Sequence, residues 1–302
     1  MLATTRSAIV TCLWALATAA QAGSSAYARL DGFTVVLEDL NPGDGVAPSI
    51  EFLFDEGHPQ LYVRSHSSQP DGEVGGGAKT VHGSGPFGAT TADITSQRGA
   101  AIAALVNATG SLASMSLAVE GSALDPWAAG VRDYVAEYHA SVQAPHLDIW
   151  GDFRLAPGTR VTIAAVGDVG VAVAPGHAAD LQDASAYAQV WMRVMSPAFG
   201  DPYFQFSTAG CALGASLSGA AGDGDPPGCG SFDGPSRSVD AIGLSVSFAN
   251  PSDAALSGHF FALAQASGSM SVNPSPVPEP ATAWLWLAGA AGLLAQRRRR
   301  AR

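Results

Sequence analysis

Alternation of apolar and polar residues dominates the middle of the chain. Short runs rich in β-branched and aromatic residues recur between clusters of Gly, Pro, Asn and Asp, which is the pattern of strands joined by tight turns. The sequence therefore predicts an all-β fold, a single β-sandwich with jelly-roll-like topology. The predicted strands are residues 33–37, 49–54, 61–63, 111–119, 147–154, 161–165, 187–195, 203–206, 241–248 and 258–266.

Two segments fit this pattern less simply. Residues 132–143 alternate as a strand does, with Tyr134 and Tyr138 on one face, but apolar residues also recur there at helical spacing. Asp125-Pro126 would cap such a helix. Because the following segments are β, we predict a strand. Residues 65–88 are rich in Gly, His and Ser, and we predict a loop.

The N-terminus has the three parts of a secretory signal. Arg6 supplies the positive charge, residues 7–20 are mainly apolar, and Ala20-Gln21-Ala22 places small residues where a signal peptidase needs them. We predict that residues 1–22 form a signal helix, which signal peptidase removes after Ala22. The alternative is an uncleaved anchor, which the short apolar run disfavours.

The C-terminus also has three parts in order. Residues 273–280 are proline-rich and cannot form a helix. Residues 281–296 are apolar or small and predict a transmembrane helix of about 22 Å, short for a hydrocarbon core of about 30 Å. Residues 297–302 form a basic cluster that stays in the cytoplasm and leaves the body outside. The stop-transfer residues are Arg297, Arg298, Arg299 and Arg300.

This tail resembles a known sorting signal. Val277-Pro278-Glu279-Pro280, the short helix and the final arginines are similar to the PEP-CTERM signal of Gram-negative bacteria. The resemblance implies recognition and cleavage by an exosortase, anchoring in the inner membrane before processing, and then a place at the cell surface or in an exopolysaccharide matrix. The alternative is an ordinary proline-linked tail anchor.

Three segments of the body also resemble recurring elements of PEP-CTERM proteins. They are residues 37–49, 153–159 and 247–250. This resemblance supports a single extracellular β-domain over residues 23–272, and it brings no known catalytic residues.

Charge narrows the set of partners. The formal net charge is −11, and six of the 15 basic residues lie in the two ends, which hold no acidic residue before Asp31 or after Glu279. Between those ends, nine basic residues therefore face all 26 acidic ones. Such a body does not suit nucleic acid, whose phosphates need cationic neutralisation, or anionic membrane surfaces.

The cysteines predict one structural bond. Cys12 lies in the signal, so Cys211 and Cys229 remain. Two cysteines in an oxidising compartment most simply form a disulfide, which would stabilise by roughly 3 kcal/mol. The alternative is a pair of free thiols.

One short segment has oxygen ligands at the spacing of a calcium loop. Asp39, Asn41 and Asp44 precede a Gly-rich turn, and Ca²⁺ prefers such hard oxygen ligands. An Asx-type turn between two strands explains the same residues and is the favoured interpretation.

No motif of a known enzyme class is present: the sequence has no HExxH, GxSxG, P-loop or CxxC pattern. His58, His66 and His82 share one region, but surface histidines explain them. We therefore predict a non-enzymatic surface protein. A carbohydrate-binding module, using calcium or aromatic stacking, is the first alternative, and a secreted hydrolase is the second. The stacking candidates are Trp127, Trp150 and Trp191, and the candidate acid pair is Asp148 and Asp152.

Overall fold

The computed structural model describes residues 22–53, 60–69, 72–83, 89–96, 99–107, 111–124, 134–144, 151–173, 181–196, 205–216, 229 and 236–272. Strands dominate these ranges, with one 3₁₀ turn at Leu112–Ser114. The strands are β1 (Ala22–Asp39), β2 (Ile50–Leu53), β3 (Gln60–Gln69), β4 (Gly72–His82), β5 (Thr90–Ser96), β6 (Gly99–Asn107), β7 (Met115–Leu124), β8 (Tyr134–Ala144), β9 (Gly151–Leu155), β10 (Thr159–Val173), β11 (Leu181–Met195), β12 (Phe206–Ser216), β13 (Ser236–Asn250) and β14 (Leu256–Val272).

The strands form two antiparallel sheets that face each other. The six-stranded sheet has the order β13-β10-β1-β7-β6-β5. The eight-stranded sheet has the order β12-β11-β14-β8-β3-β4, with β9 paired to β14 and β2 paired to β9. The chain crosses from one sheet to the other after β1, β4, β7, β9, β10, β12 and β13. The predicted all-β sandwich is confirmed.

Alternate residues of the two inner faces build the core. Successive side chains of a strand point to opposite faces, so β7 buries every second residue along its length. Aromatic rings meet edge-to-face at one end of the core: Phe153 and Phe248 have centroids 5.2 Å apart, and Phe33 and Phe260 are 6.4 Å apart. Such edge-to-face pairs add stability beyond the area they bury.

Tyr138 is the largest fully buried side chain. Its ring lies against Gly121 of the opposite sheet and Gly268 of the neighbouring strand. Its hydroxyl is 3.3 Å from Oγ of Ser24, which donates to the carbonyl of Ser185 at 2.6 Å. Burial raises the pKa of the phenol, so Tyr138 is neutral and serves as a hydrogen-bonded spacer between the sheets.

Of the two segments that fit the strand pattern less simply, one prediction is confirmed and the other is wrong. The strand predicted at 132–143 is confirmed by β8. The loop predicted at 65–88 is wrong, because β3 and β4 pair through most of it as an antiparallel hairpin. Cross-strand pairing of β4 with β3 outweighs the low strand propensity of its glycines. The predicted signal helix, apart from Ala22 at the start of β1, and the predicted transmembrane helix lie outside the described residues. Within the described part of the chain, no helix is long and apolar enough to span a membrane.

The first and last strands start and finish at the same end of the sandwich. β1 begins at Ala22 beside Leu124, the last residue of β7. β14 ends at Val272 beside Tyr134, the first residue of β8. Because residues 125–133 join β7 to β8, both chain ends of the sandwich lie on that side, which we call the terminal end. The turns that follow β1, β9 and β13 lie at the opposite side, the junction end.

Candidate functional site

Three loops meet at the junction end. The amide of Leu40 donates to the carbonyl of Gly158 at 2.6 Å, and the amide of Ala156 donates to the carbonyl of Ser49 at 3.0 Å. The amide of Gly158 donates to the carbonyl of Ser252 at 3.3 Å. The three body segments that resemble PEP-CTERM elements therefore converge in space, although they are far apart in sequence.

Asn250 holds this junction from inside. Its fully buried side chain places Nδ2 3.0 Å from the carbonyl oxygen of Ala156 and 2.7 Å from that of Ala254. Its Oδ1 accepts hydrogen bonds from the amide and the hydroxyl of Ser252, at 3.1 and 2.6 Å. A buried amide with this many partners locks the loops in place. The role of this residue is structural.

The calcium candidates lie in the first of these loops. Asp39 Oδ1 accepts the amide of Asn41 at 2.9 Å, and Asp44 Oδ1 accepts the amide of Val46 at 2.7 Å. These are Asx turns, the interpretation that the sequence favours. Among the described residues, no group of three or more His, Cys, Asp or Glu side chains could hold a metal ion. Calcium binding by Asp39, Asn41 and Asp44 stays a prediction.

The predicted disulfide is present. Cys211 on β12 is bonded to Cys229, with their Cα atoms 5.3 Å apart. Both cysteines are buried, and Cys211 faces the core beside Val190. The bond links Cys229 covalently to the eight-stranded sheet.

An aromatic–arginine cluster occupies the outer face of the eight-stranded sheet, formed by Trp191, Arg193, Phe206 and Phe261. Cζ of Arg193 lies 4.8 Å from the ring centroid of Trp191 and 4.8 Å from that of Phe206. The indole packs on Phe261, with centroids 4.8 Å apart. Phe206 is 54% exposed. The guanidinium thus lies within cation–π distance of two rings.

Polar side chains continue the same face along β11. Gln189 stands two residues before Trp191 and therefore on the same side of the sheet. Nε2 of Gln189 donates to Oε1 of Gln265 at 2.8 Å, and the hydroxyl of Tyr187 donates to Oε1 of Gln189 at 2.9 Å. The face thus combines flat apolar rings with amide and guanidinium groups.

Glu120 and His139 are outward-facing titratable groups with shifted pKa values. Burial raises the pKa of Glu120 on β7 to about 7, and its cross-strand partners are Tyr27 and Ile102 of the adjacent strands. Burial, and then the charge of Arg64, lower the pKa of His139 on β8. Glu120 belongs to the six-stranded sheet and His139 to the eight-stranded one, so they do not form an acid–base pair.

Replacing Glu120 with Gln is expected to stabilise the fold at neutral and alkaline pH. The carboxyl has a folded-state pKa near 7 and an ordinary value of 4.5. Stability therefore falls as pH rises from 4.5 through 7, because ionisation is disfavoured in the folded state. The gain is on the order of 1 kcal/mol above pH 7, after allowance for solvent screening. Urea denaturation at pH 4 and pH 8 measures it.

The matched control is Glu51→Gln, which removes an exposed carboxylate from β2. A gain for Glu120→Gln that is equal at pH 4 and pH 8 would contradict the assignment of the penalty to ionisation. So would an equal gain for Glu51→Gln at pH 8.

Among the residues that the structure describes, the remaining candidates are not brought together. His66 pairs with Gly76 and His82 with Gln60, so these histidines lie near opposite ends of the β3–β4 hairpin. Asp152 is in β9. The other candidates lie outside the described residues: Ala20, His58, Trp127, Asp148, Trp150, Val277, Pro278, Glu279, Pro280, Arg297, Arg298, Arg299 and Arg300.

Sequence analysis identified Trp191 as a stacking candidate but missed its neighbours. Arg193 could have been found, because residues two apart on a strand share a face. Phe206 could not, because its position beside Met195 depends on the register of β11 and β12.

Comparison with known proteins identifies the tail. Residues 276–300 match the model of the PEP-CTERM protein-sorting motif. No curated protein and no solved structure matches the chain. The motif implies an exported protein that an exosortase processes at the membrane. The chain thus carries a PEP-CTERM protein-sorting motif on the C-terminal side of its β-sandwich.

Proposed function

We propose that this protein is a non-enzymatic component of the cell surface or of the exopolysaccharide matrix, delivered as a folded β-sandwich. The observation that carries the proposal is the sorting motif at residues 276–300, which starts soon after β14 ends at Val272. The last strand of the sandwich therefore leads almost directly into the sorting signal, with little sequence between them for another domain.

The placement of the chain ends supports delivery in this form. β1 begins and β14 finishes at the terminal end. The predicted signal peptide precedes β1, and the predicted transmembrane segment at 281–296 follows β14. Both membrane segments can therefore be held at one side of a folded sandwich, without unfolding a strand.

The non-enzymatic part of the proposal is supported by how the ionisable groups are distributed. An enzymatic site usually gathers several perturbed groups in one cleft. Here the shifted groups among the described residues lie in three separate places: Glu120 and its cross-strand neighbour Tyr27 face outward from the six-stranded sheet, His139 faces outward from the eight-stranded sheet, and Tyr138 is buried between the sheets.

Export can be tested by fractionation of a host that has an exosortase. Protein recovered from the cell surface or medium should begin at Gly23, as Edman sequencing or mass spectrometry would show, and external protease should degrade it in intact cells. A reporter protein without a signal peptide, which stays in the cytoplasm, is the control, because its appearance outside the cells would indicate lysis. Protein that begins at Met1 and resists protease in intact cells would overturn the proposal.

A further inference from the structure

The aromatic–arginine cluster presents apolar rings to solvent beside unused hydrogen-bond donors. Phe206 is 54% exposed, and Trp191 and Arg193 are partly exposed. Leaving apolar rings in water forgoes about 25 cal/mol for each Å² that a ligand could cover. We propose that this cluster binds a neutral polysaccharide, with sugar rings packed against Phe206 and the exposed part of Trp191, and with hydroxyl groups bonded to Arg193.

Arg193 points to a ligand that accepts hydrogen bonds. A guanidinium has five N–H donors and no acceptor, and Nε of Arg193 is buried with no hydrogen-bond partner. No carboxylate among the described residues pairs with it. The two rings lie close to the guanidinium but offer no oxygen or nitrogen acceptor to its N–H donors. A sugar hydroxyl or ring oxygen supplies an acceptor for the terminal nitrogens of the guanidinium, whereas the buried Nε lies out of reach of a ligand.

The shape of the face suits a chain of sugars. A pyranose ring has a flat C–H face and a rim of hydroxyls, which matches rings that alternate with polar groups. Gln189, Trp191 and Arg193 stand at every second position of β11, so they form a row about 14 Å long. Gly210 lies directly across from Trp191 on β12, so no side chain stands beside the indole on that strand.

Charge selects an uncharged glycan. The formal net charge of −11 repels polyanions, and Arg193 is a single cation against that field. An acidic polysaccharide or a nucleic acid would need a larger basic patch. A neutral chain meets no such repulsion and still uses the donors of Arg193, Gln189 and Gln265.

The cluster also lies in an accessible part of the sandwich. β11 ends at Met195 near the junction end, so Trp191 and Arg193 are on the half that is remote from both chain ends. This placement outside the cell rests on the proposed function, whereas the chemistry of the cluster does not.

Affinity electrophoresis of the full-length protein tests the proposal. Gels containing β-1,4-glucan, β-1,3-glucan, dextran or galactomannan are run beside a gel without polysaccharide and one with alginate. Retardation is expected in at least one neutral gel and not in alginate. Trp191→Ala and Phe206→Ser should each weaken that binding by about tenfold or more, as loss of a central aromatic contact does.

Tyr62→Ala is the matched control, since Tyr62 is a partly exposed aromatic on the same outer face but on β3, against His139. Arg193→Gln is a second variant that keeps the test valid if Trp191→Ala does not fold. It should also weaken binding of the polysaccharide. Absence of retardation in every neutral gel would overturn the proposal. If Tyr62→Ala loses as much affinity for the polysaccharide as Trp191→Ala does, the assignment to this cluster is wrong. The assignment is also wrong if the wild-type protein is a dimer that Phe206→Ser converts to a monomer, because the cluster would then be a dimer interface. These readings do not depend on export, so their failure is distinct from failure of the proposed function.

Discussion

Replacing Glu279 with Ala is expected to trap a longer form of the protein in the membrane fraction. Glu279 lies in the part of the tail that matches the sorting motif, and its change removes the recognition element. The predicted helix at 281–296 and the arginines after it are unchanged, so the anchor remains. Processing should fall from nearly complete to undetectable, as mass spectrometry of the C-terminal peptide would show.

Ser275→Ala is the matched control, because it changes the same proline-rich stretch just outside the matched residues. It should be processed as the wild type is. Recovery of peptides containing Arg297–Arg302 from wild-type protein at the surface of an exosortase-bearing host would mean that the tail is only an anchor. Deleting those arginines should instead disturb insertion, since they stop the tail in the cytoplasm.

Replacing Gly121 with Ala is expected to destabilise the sandwich by about 3 kcal/mol or more. A methyl group at that position would overlap the ring of Tyr138. The ring cannot swing aside, because it also lies against Gly268 and its hydroxyl is near Ser24. The sheets would have to separate locally. The urea midpoint of the folded, disulfide-bonded protein measures the loss.

Gly243→Ala is the control for this substitution. Gly243 is also a strand glycine, but it is exposed on β13 and a methyl group there meets no atom within 4 Å. Its replacement should change stability by less than about 1 kcal/mol, and in the stabilising direction, since Ala restricts the unfolded chain. Equal urea midpoints for Gly121→Ala and Gly243→Ala would show that the ring of Tyr138 can move away from residue 121.

Strand positions were predictable where the alternation of side chains was strong. In β8, Tyr138 is buried and His139 faces outward, which is the period-two pattern that favoured a strand over a helix. The β3–β4 hairpin was missed because glycines such as Gly75 and Gly76 have no side-chain pattern to read. Their strand state comes from hydrogen bonds to β3, which local sequence does not encode.

The candidate sites also differ in whether the sequence alone can identify them. A sorting tail is a linear signal, so its residues are adjacent in sequence and the order of residues along the chain is enough to identify it. The aromatic–arginine cluster depends on the pairing of β11 with β12 and β14. Asn250 likewise joins carbonyls more than ninety positions away, from Leu155 and Ala156. Neither arrangement can be derived without the register of the sheets.

The position of β14 has a mechanical consequence. β14 is an interior strand of 17 residues, with hydrogen-bonded partners on both sides along most of its length. Whatever holds the C-terminus pulls on this strand along its axis. Since antiparallel hydrogen bonds lie perpendicular to the strands, such a load must shear β11 and β8 from β14 together, whereas a strand at the sheet edge could be peeled off one bond at a time. A sandwich tethered through β14 is therefore suited to resisting drag from a polymer bound near its far end.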